Sequence, residues 1–306
     1  MTAVFVMAYI FTAAALGFAW WCAAARKSKL YDTVSRLLDD ILRGRKVALP
    51  QLKEGEIYVL SAKAARVQEN LMLEVEKAEA EKKQVKMLVS NMSHQLKTPL
   101  ANIMLYEDLL IGEKYHTQEE KEKFLSQMRV QTEKIDWILN SLFKMVKLEQ
   151  NTMEFTTGAY PIKTTIINSM SDVYEKALKK NISMVMKEFD DVCLLHNPQW
   201  TQEAFANILE NAVKYSPKGS RVVIDCQTYD MYSVVQIKDE GIGIPKTEQQ
   251  KIFFRFYRGV NAAAQEGSGI GLYLSRLIVE KEDGYITVES MPGEGSCFRI
   301  FLQNGV

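Results

Sequence analysis

Between Leu71 and Met92 the residues Leu71, Val75, Ala78, Lys82, Val85, Val89 and Met92 recur alternately four and three apart. That period winds two helices into a coil around a shared apolar seam. A helix packed on its own domain would show a similar stripe, but the intervening Glu74, Glu76, Lys77, Glu79, Glu81 and Lys83 are almost all charged. Such a surface favours a two-stranded coil and hence a homodimer. The seam runs without a break into Asn91–Leu100, where His94, Lys97 and Thr98 fall at i, i+3 and i+4 on one helix face. Pro99 removes the amide that would bond the Gln95 carbonyl and crowds that carbonyl, so a bend is expected beside the histidine. An exposed imidazole there is a candidate nucleophile or proton carrier; a surface histidine on a kinked helix is the plain alternative.

After the histidine, Leu100, Ile103, Met104, Leu109 and Leu110 continue the helix to Gly112. A loop over Gly112–His116 turns the chain, and Thr117 with Glu120 forms a capping box that opens a second long helix. Its apolar stripe is Phe124, Met128, Ile135, Ile138, Leu142, Met145 and Val146. The two helices make an antiparallel hairpin, and two hairpins complete a four-helix bundle with His94 on its outer surface.

Upstream, no charged residue occurs from Ala3 to Ala25. A helix of that length rises roughly 35 Å, enough for a hydrocarbon core of about 30 Å. Trp20 and Trp21 would be interfacial anchors, and Arg26, Lys27 and Lys29 follow at once. The expectation is a single transmembrane helix over residues 1–25, with the remainder facing the cytoplasm by the positive-inside rule. A cleaved signal peptide is the rival, but the basic region it needs at its start is absent. With almost nothing outside, a signal would arrive through the membrane or through another membrane protein. Residues 26–84 are charged and helical in pattern, broken around Gly44, Pro50 and Gly55. This helix–connector–helix resembles a degenerate signal-relay (HAMP-type) module, with a plain linker as the alternative.

In the 306 residues, lysine plus arginine and aspartate plus glutamate both number 38, so the zero net charge does not suggest nucleic acid. Cys22, Cys193, Cys226 and Cys297 lie far apart, which argues for free thiols in a reducing compartment. His94, His116 and His196 stand at unrelated spacings and do not suggest a metal cluster.

Residues 151–306 alternate helical patterns with strand-like runs at Val222–Cys226, Val234–Ile237, Tyr285–Glu289 and Cys297–Leu302, an α+β sandwich. One predicted helix carries Asn207, Asn211, Lys214 and Tyr215 on one face and Phe205, Ile208, Leu209 and Ala212 on much of the other. Two amide oxygens suit Mg2+, Lys214 can neutralise phosphate, and Tyr215 can lean on phosphate or sugar; the bland alternative is a solvated helix face. Directly after a strand comes Asp239, followed by Gly241 and Gly243. A carboxylate there can accept the exocyclic amine of adenine, while the glycines let backbone approach a flat ring. Gly267, Ser268, Gly269, Gly271 and Leu272 then open a helix whose free amides can hold phosphates. Without a tight strand–turn–helix unit before it, a dinucleotide-binding fold is a poor reading. Between the glycine loops, Phe253–Gly259 and Val260–Glu266 look like a lid, with Arg258 able to reach phosphate.

Taken together these stretches resemble the bacterial sensor histidine kinases of two-component systems. Ser93–Leu100 is similar to their H box, Asn207–Tyr215 to the N box, and Asp239–Gly243 to the first glycine box. Phe253–Phe256 is similar to the F box and Gly267–Gly271 to the second glycine box, with Gly293–Ser296 similar to the last glycine element. The resemblance implies a dimerisation and phosphotransfer hairpin over 85–150 and a GHKL (Bergerat) ATP-binding domain over 151–306. It implies that His94 takes the γ-phosphoryl of ATP and passes it to an aspartate of a response regulator. Asn207 and Asn211 would hold Mg2+, Lys214 and Tyr215 would contact nucleotide, and Asp239 would read adenine. Thr98 matches the position that orients water for dephosphorylating the regulator. Gln95 departs from the pattern, which has Asp or Glu after the histidine. An amide can fix the imidazole tautomer but cannot take its proton, so an altered rate or pH dependence is expected. Two rivals remain: a pseudokinase that binds without transferring phosphate, supported by Gln95, and an ATPase of the gyrase or chaperone kind, opposed by His94 in its box.

Overall fold

The computed structural model describes residues 2–46, 56–112, 117–150, 155–262, 265 and 267–305. It divides into two compact units, Met1–Ser90 and Asn91–Val306.

In the first unit α1 runs over Thr2–Leu42. It ends where Gly44, at φ +65, donates to the Ile41 carbonyl while Arg45 donates to Asp40, a left-handed glycine stop that satisfies the last carbonyls. The helix covers the expected membrane anchor, and Tyr9, Ile10, Phe11, Leu16, Phe18, Trp20 and Trp21 are exposed along it. Among the described residues, however, no helix is long and apolar enough to cross a membrane. The expected transmembrane helix is therefore not carried by the structure. The start of α2 (Glu56–Ile111) buries Ser61 and Gln68, and the Gln68 amide donates to the Arg45 carbonyl at 2.5 Å. Pro50 and Gly55, the expected breakers of the connector, lie outside the described residues. Along α2 the seam residues Leu71, Val75, Val85 and Val89 are exposed on the single chain.

In the second unit α2 continues through Pro99 as helix to Ile111, and α3 (Gln118–Glu149) follows. Most of the expected turn, residues 113–116, lies outside the described residues. Thr117 caps α3 by accepting the Glu120 amide at 3.3 Å. Near the turn Tyr106 stacks on Phe124 with ring centroids 6.0 Å apart, which closes the helical hairpin. Ile138, Met145 and Leu148 are buried on α3.

The rest is an α/β sandwich. A two-stranded sheet pairs β1 (Gly158–Pro161) with β3 (Cys193–His196). The main sheet contains β2 (Ser183–Met186), β4 (Arg221–Thr228), β5 (Tyr232–Lys238), β6 (Tyr285–Met291) and β7 (Gly295–Gln303) in the order β2-β4-β5-β7-β6. The β2–β4 pair is parallel and the other pairs are antiparallel. The helices α4 (Ile162–Lys179), α5 (Pro198–Tyr215) and α6 (Gly271–Lys281) supply the apolar layer against it. Phe205, Ile208 and Leu209 of α5 meet Val222, Ile224, Val235, Ile237, Phe298 and Ile300 from the sheet in one core. This burial turns the opposite, polar face of α5 outward, toward a cavity.

Candidate active site

The cavity has a volume of about 370 Å³ and is walled by α5, the end of β5, the lid segment and the start of α6. Asn207, Asn211, Lys214 and Tyr215 all line it, as do Asp239, Gly243, Arg258, Gly267, Ser268, Gly269, Gly271 and Leu272. His94, Gln95 and Thr98 do not; they stand on α2, with His94 and Thr98 exposed and Gln95 half-buried. Thr98 donates its hydroxyl to the His94 carbonyl at 3.4 Å. Gly241 is buried and does not line the cavity.

Asp239 is buried at the end of β5. Its Oδ1 accepts from the Gly241 amide at 2.8 Å and the Ser296 amide at 3.1 Å, which fixes the carboxylate plane. Burial pushes its carboxyl up to about 6, outweighing the two backbone donors that pull it down. Gly243 has φ +68, and a Cβ there would stand 2.0 Å from the Met291 carbonyl oxygen, so only glycine fits this floor.

On α5 the Asn207 amide is nearly buried, and its Nδ2 has no hydrogen-bond partner among the described residues. An orphaned amide atom costs about 1–3 kcal/mol, which a ligand atom in the cavity would offset. Nitrogen and oxygen exchange places when the amide flips, so either can face the cavity. Asn207 and Asn211 together therefore fit one side of a Mg2+ shell whose other positions belong to phosphates and water. Among the described residues no cluster of three or more histidine, cysteine or carboxylate side chains offers a metal site. Lys214 packs over the Tyr215 ring at 4.7 Å and donates to its hydroxyl at 3.1 Å. A Cβ on Gly267 would meet the Lys214 ammonium at 2.8 Å, so the second glycine loop leaves room for that charge.

The lid is rooted by crossed backbone. Phe256 adopts φ +60, rare outside glycine, and its amide donates to the Gly269 carbonyl at 2.9 Å. Gly269, at φ +72, backs onto Phe256 so closely that a Cβ would lie 2.7 Å from its carbonyl carbon. Phe253 is core, whereas Phe254 is exposed. Arg258 donates to the Gln265 carbonyl, tying the lid to itself. Residues 263, 264 and 266 of the expected lid lie outside the described residues.

Sequence reasoning missed several participants. Glu248 is buried and accepts the Val260 amide at 3.3 Å, anchoring the lid; nothing in its local sequence signals this. Ser296, which the sequence placed in the last glycine element, donates its backbone amide to Asp239, a role that sequence does not advertise. Lys134 and Trp137 of α3 also line the cavity, although they read as hairpin surface.

A histidine-bearing helical hairpin joined to an α/β domain with an amide stripe, a buried strand-end aspartate and two glycine loops defines the architecture of a histidine kinase core. Comparison with known proteins agrees. Residues 84–151 match the His Kinase A (phospho-acceptor) domain, and residues 196–305 match the histidine kinase-, DNA gyrase B- and HSP90-like ATPase family. The sensor protein kinase WalK of Staphylococcus saprophyticus is 30% identical over 218 residues, covering 70% of this chain and 36% of that protein. The sensor histidine kinase YcbM of Bacillus subtilis is 29% identical over 223 residues, covering 72% of this chain and 71% of that protein. The chain thus spans about a third to a half of the length of the WalK relatives it matches. Among solved structures, histidine kinase ThkA in complex with response regulator protein TrrA shares the fold with a TM-score of 0.58 at 18% identity, covering 76% of this chain and 67% of that one. The Acinetobacter baumannii histidine kinase AdeS shares it at 0.56 and 16% identity, covering 70% and 98%. The chain belongs to the bacterial sensor histidine kinase family of two-component systems.

Proposed function

We propose that the chain is an ATP-dependent protein-histidine kinase that phosphorylates His94 and passes the phosphoryl group to an aspartate on a response-regulator receiver domain. The observation that carries this is one cavity lined by the amide stripe of α5, the buried Asp239 and the second glycine loop, in the same compact unit as His94. Asp239 accepts the exocyclic amine of adenine against the glycine floor. The amides at the start of α6, with Lys214 and Arg258, hold the phosphates. Asn207 and Asn211 would hold Mg2+, which when bound neutralises charge on the phosphate oxygens.

A neutral ring nitrogen of His94 attacks the γ-phosphorus in line with the bridging oxygen. The P–O bond to that oxygen breaks, ADP leaves with the electron pair, and a P–N bond forms while the other ring nitrogen keeps its proton. Positioning and electrostatics supply most of the catalysis, so Gln95 is compatible with transfer. It can hold the tautomer by accepting that N–H. The receiver carboxylate then replaces the imidazole on phosphorus. Thr98, one turn from His94, would orient water for the reverse task of dephosphorylating the regulator.

The exposed seam of α2, with Leu100, Met104, Leu125 and Phe143 exposed on the hairpin, supports a homodimer that covers them. Membrane attachment rests on the uncharged stretch Ala3–Ala25 and its exposed aromatic residues, and a signal from the membrane or another membrane protein would enter there. The enzymatic part would then lie in the cytoplasm.

Incubated with γ-labelled ATP and Mg2+, the chain is expected to take up label, and Asn211→Ala or chelation of the metal to suppress it more than tenfold. Tight nucleotide binding without labelling would instead favour the binding-only reading that Gln95 supports.

A further inference from the structure

The hairpin and the nucleotide cavity are joined by a short stretch of α3. Lys134 and Trp137 of that helix line the cavity together with the fully buried Ile138. Their offsets of three and four place them on one face, directed at the cavity. At the far end of the same helix Glu149 accepts the Tyr273 hydroxyl at 2.5 Å, and Arg255 also pairs with it. Tyr273 stands in the first turn of α6, whose N-terminus is the natural seat of the phosphates. The helix is therefore anchored to the element whose N-terminus would seat the phosphates.

The register of the hairpin places this turn of α3 level with the histidine. Tyr106 stacks on Phe124, and antiparallel helices advance at the same rise per residue. His94 is twelve residues further from the loop than Tyr106, so its counterpart lies about twelve residues past Phe124, near position 136. The same register sets Pro99 opposite Gln131, and both are buried. The turn Lys134–Ile138 thus has His94 at its own height on the neighbouring helix and itself lines the nucleotide cavity.

We propose that Lys134 and Trp137 belong to the phosphoryl-transfer site. Lys134 supplies a positive charge to the γ-phosphoryl group on its way to His94, and Trp137 walls that end of the cavity against water. Binding of ADP, which lacks the γ-phosphate, does not engage Lys134. This assignment deepens the kinase reading and rests on it. A lysine there acts as a point charge on the group whose charge is redistributed in the transition state.

The test uses the full chain with Lys134→Met, which keeps the aliphatic stem, and Lys134→Arg, which keeps the charge. Equal melting temperatures establish that each variant is folded. Lys134→Met is expected to lower the labelling rate on His94 by about tenfold to a hundredfold. It is also expected to weaken ATP binding several-fold with ADP binding unchanged, and Lys134→Arg to restore much of both. Nucleotide should change the fluorescence of the wild type and lose that part of the signal in Trp137→Phe. Wild-type rate and an unaltered ATP-to-ADP affinity ratio in Lys134→Met would overturn the proposal. A wild-type chain that binds nucleotide but takes no label removes the kinase reading alone, because the affinity ratio still decides the role of Lys134. A wild-type chain that binds no nucleotide overturns both.

Discussion

At Asp239 two demands oppose each other. Reading adenine needs the ionised carboxylate as an acceptor, while burial favours the neutral acid and pushes its pKa up to about 6. Because the folded value lies above the ordinary 3.8, protonation contributes stability that is fully present below about pH 4 and is lost as pH rises through about 6. Nucleotide affinity should run the other way, falling as pH drops from 7 through 6. Calorimetric titration with ADP across pH 5 to 8 checks this, and a flat affinity would contradict it. Asp239→Asn should weaken ADP binding at least tenfold yet melt no lower than the wild type at pH 8, since the amide removes a buried charge. At this scale much of the site was legible in the sequence. An amide stripe at i and i+4, a carboxylate after a strand and two glycine runs are local patterns with local reasons. Ser296 and Glu248 were not legible, because their roles depend on backbone brought together from distant segments.

Among the elements, α5 has the most to position, since it carries Asn207, Asn211, Lys214 and Tyr215. Its N-terminus is held by Asn197, whose side chain caps the Gln199 and Trp200 amides at 3.2 Å each, and by Glu282 at the end of α6. The Glu282 carboxylate accepts the Asn197 amide at 2.9 Å and the Thr201 hydroxyl at 2.7 Å, while its Oε2 is buried without a partner among the described residues. Burial pushes its pKa up to about 7 despite those donors. The stability this contributes is fully present below its ordinary 4.5 and disappears as pH rises through about 7. Glu282→Gln keeps an acceptor and removes the charge, so the variant should melt higher than the wild type at pH 8 and flatten the melting profile between pH 5 and 8. A lower melting temperature at pH 8 would count against this balance. The long helices and the four longer strands were legible from periodicity and β-branched runs. The four-residue strands β1, β2 and β3 were not, because so short a run holds too few alternations to show a period.

At the scale of the whole molecule, the hairpin and the ATP-binding domain meet through a few polar contacts around a buried apolar strip. Glu149 receives Arg255 and Tyr273, whose ring also carries the Arg255 guanidinium at 4.9 Å, and Lys144 pairs with Glu203 at 2.8 Å. Arg255 leads directly into the lid, so this knot fixes the root of the lid to α3. Glu149→Ala leaves Arg255 and Tyr273 without their shared acceptor and should cost about 1–3 kcal/mol, read from chemical denaturation. It should also weaken ATP binding, because the α3 wall of the cavity is no longer held; unchanged stability and affinity would show the knot to be incidental. Nothing in the sequence announced this contact, since residues 149, 255 and 273 share no local pattern. The resemblance of five boxes in order did announce the two domains, whereas the transmembrane reading of residues 1–25 rests on sequence alone, since among the described residues no helix is long and apolar enough to cross a membrane.

The most direct measurement follows labelled phosphate. The full chain, incubated with Mg2+ and γ-labelled ATP beside His94→Ala, should acquire label that survives alkali, is lost in acid and is absent from the variant. Label that persists in His94→Ala, or that resists acid, would contradict phosphoryl transfer to His94.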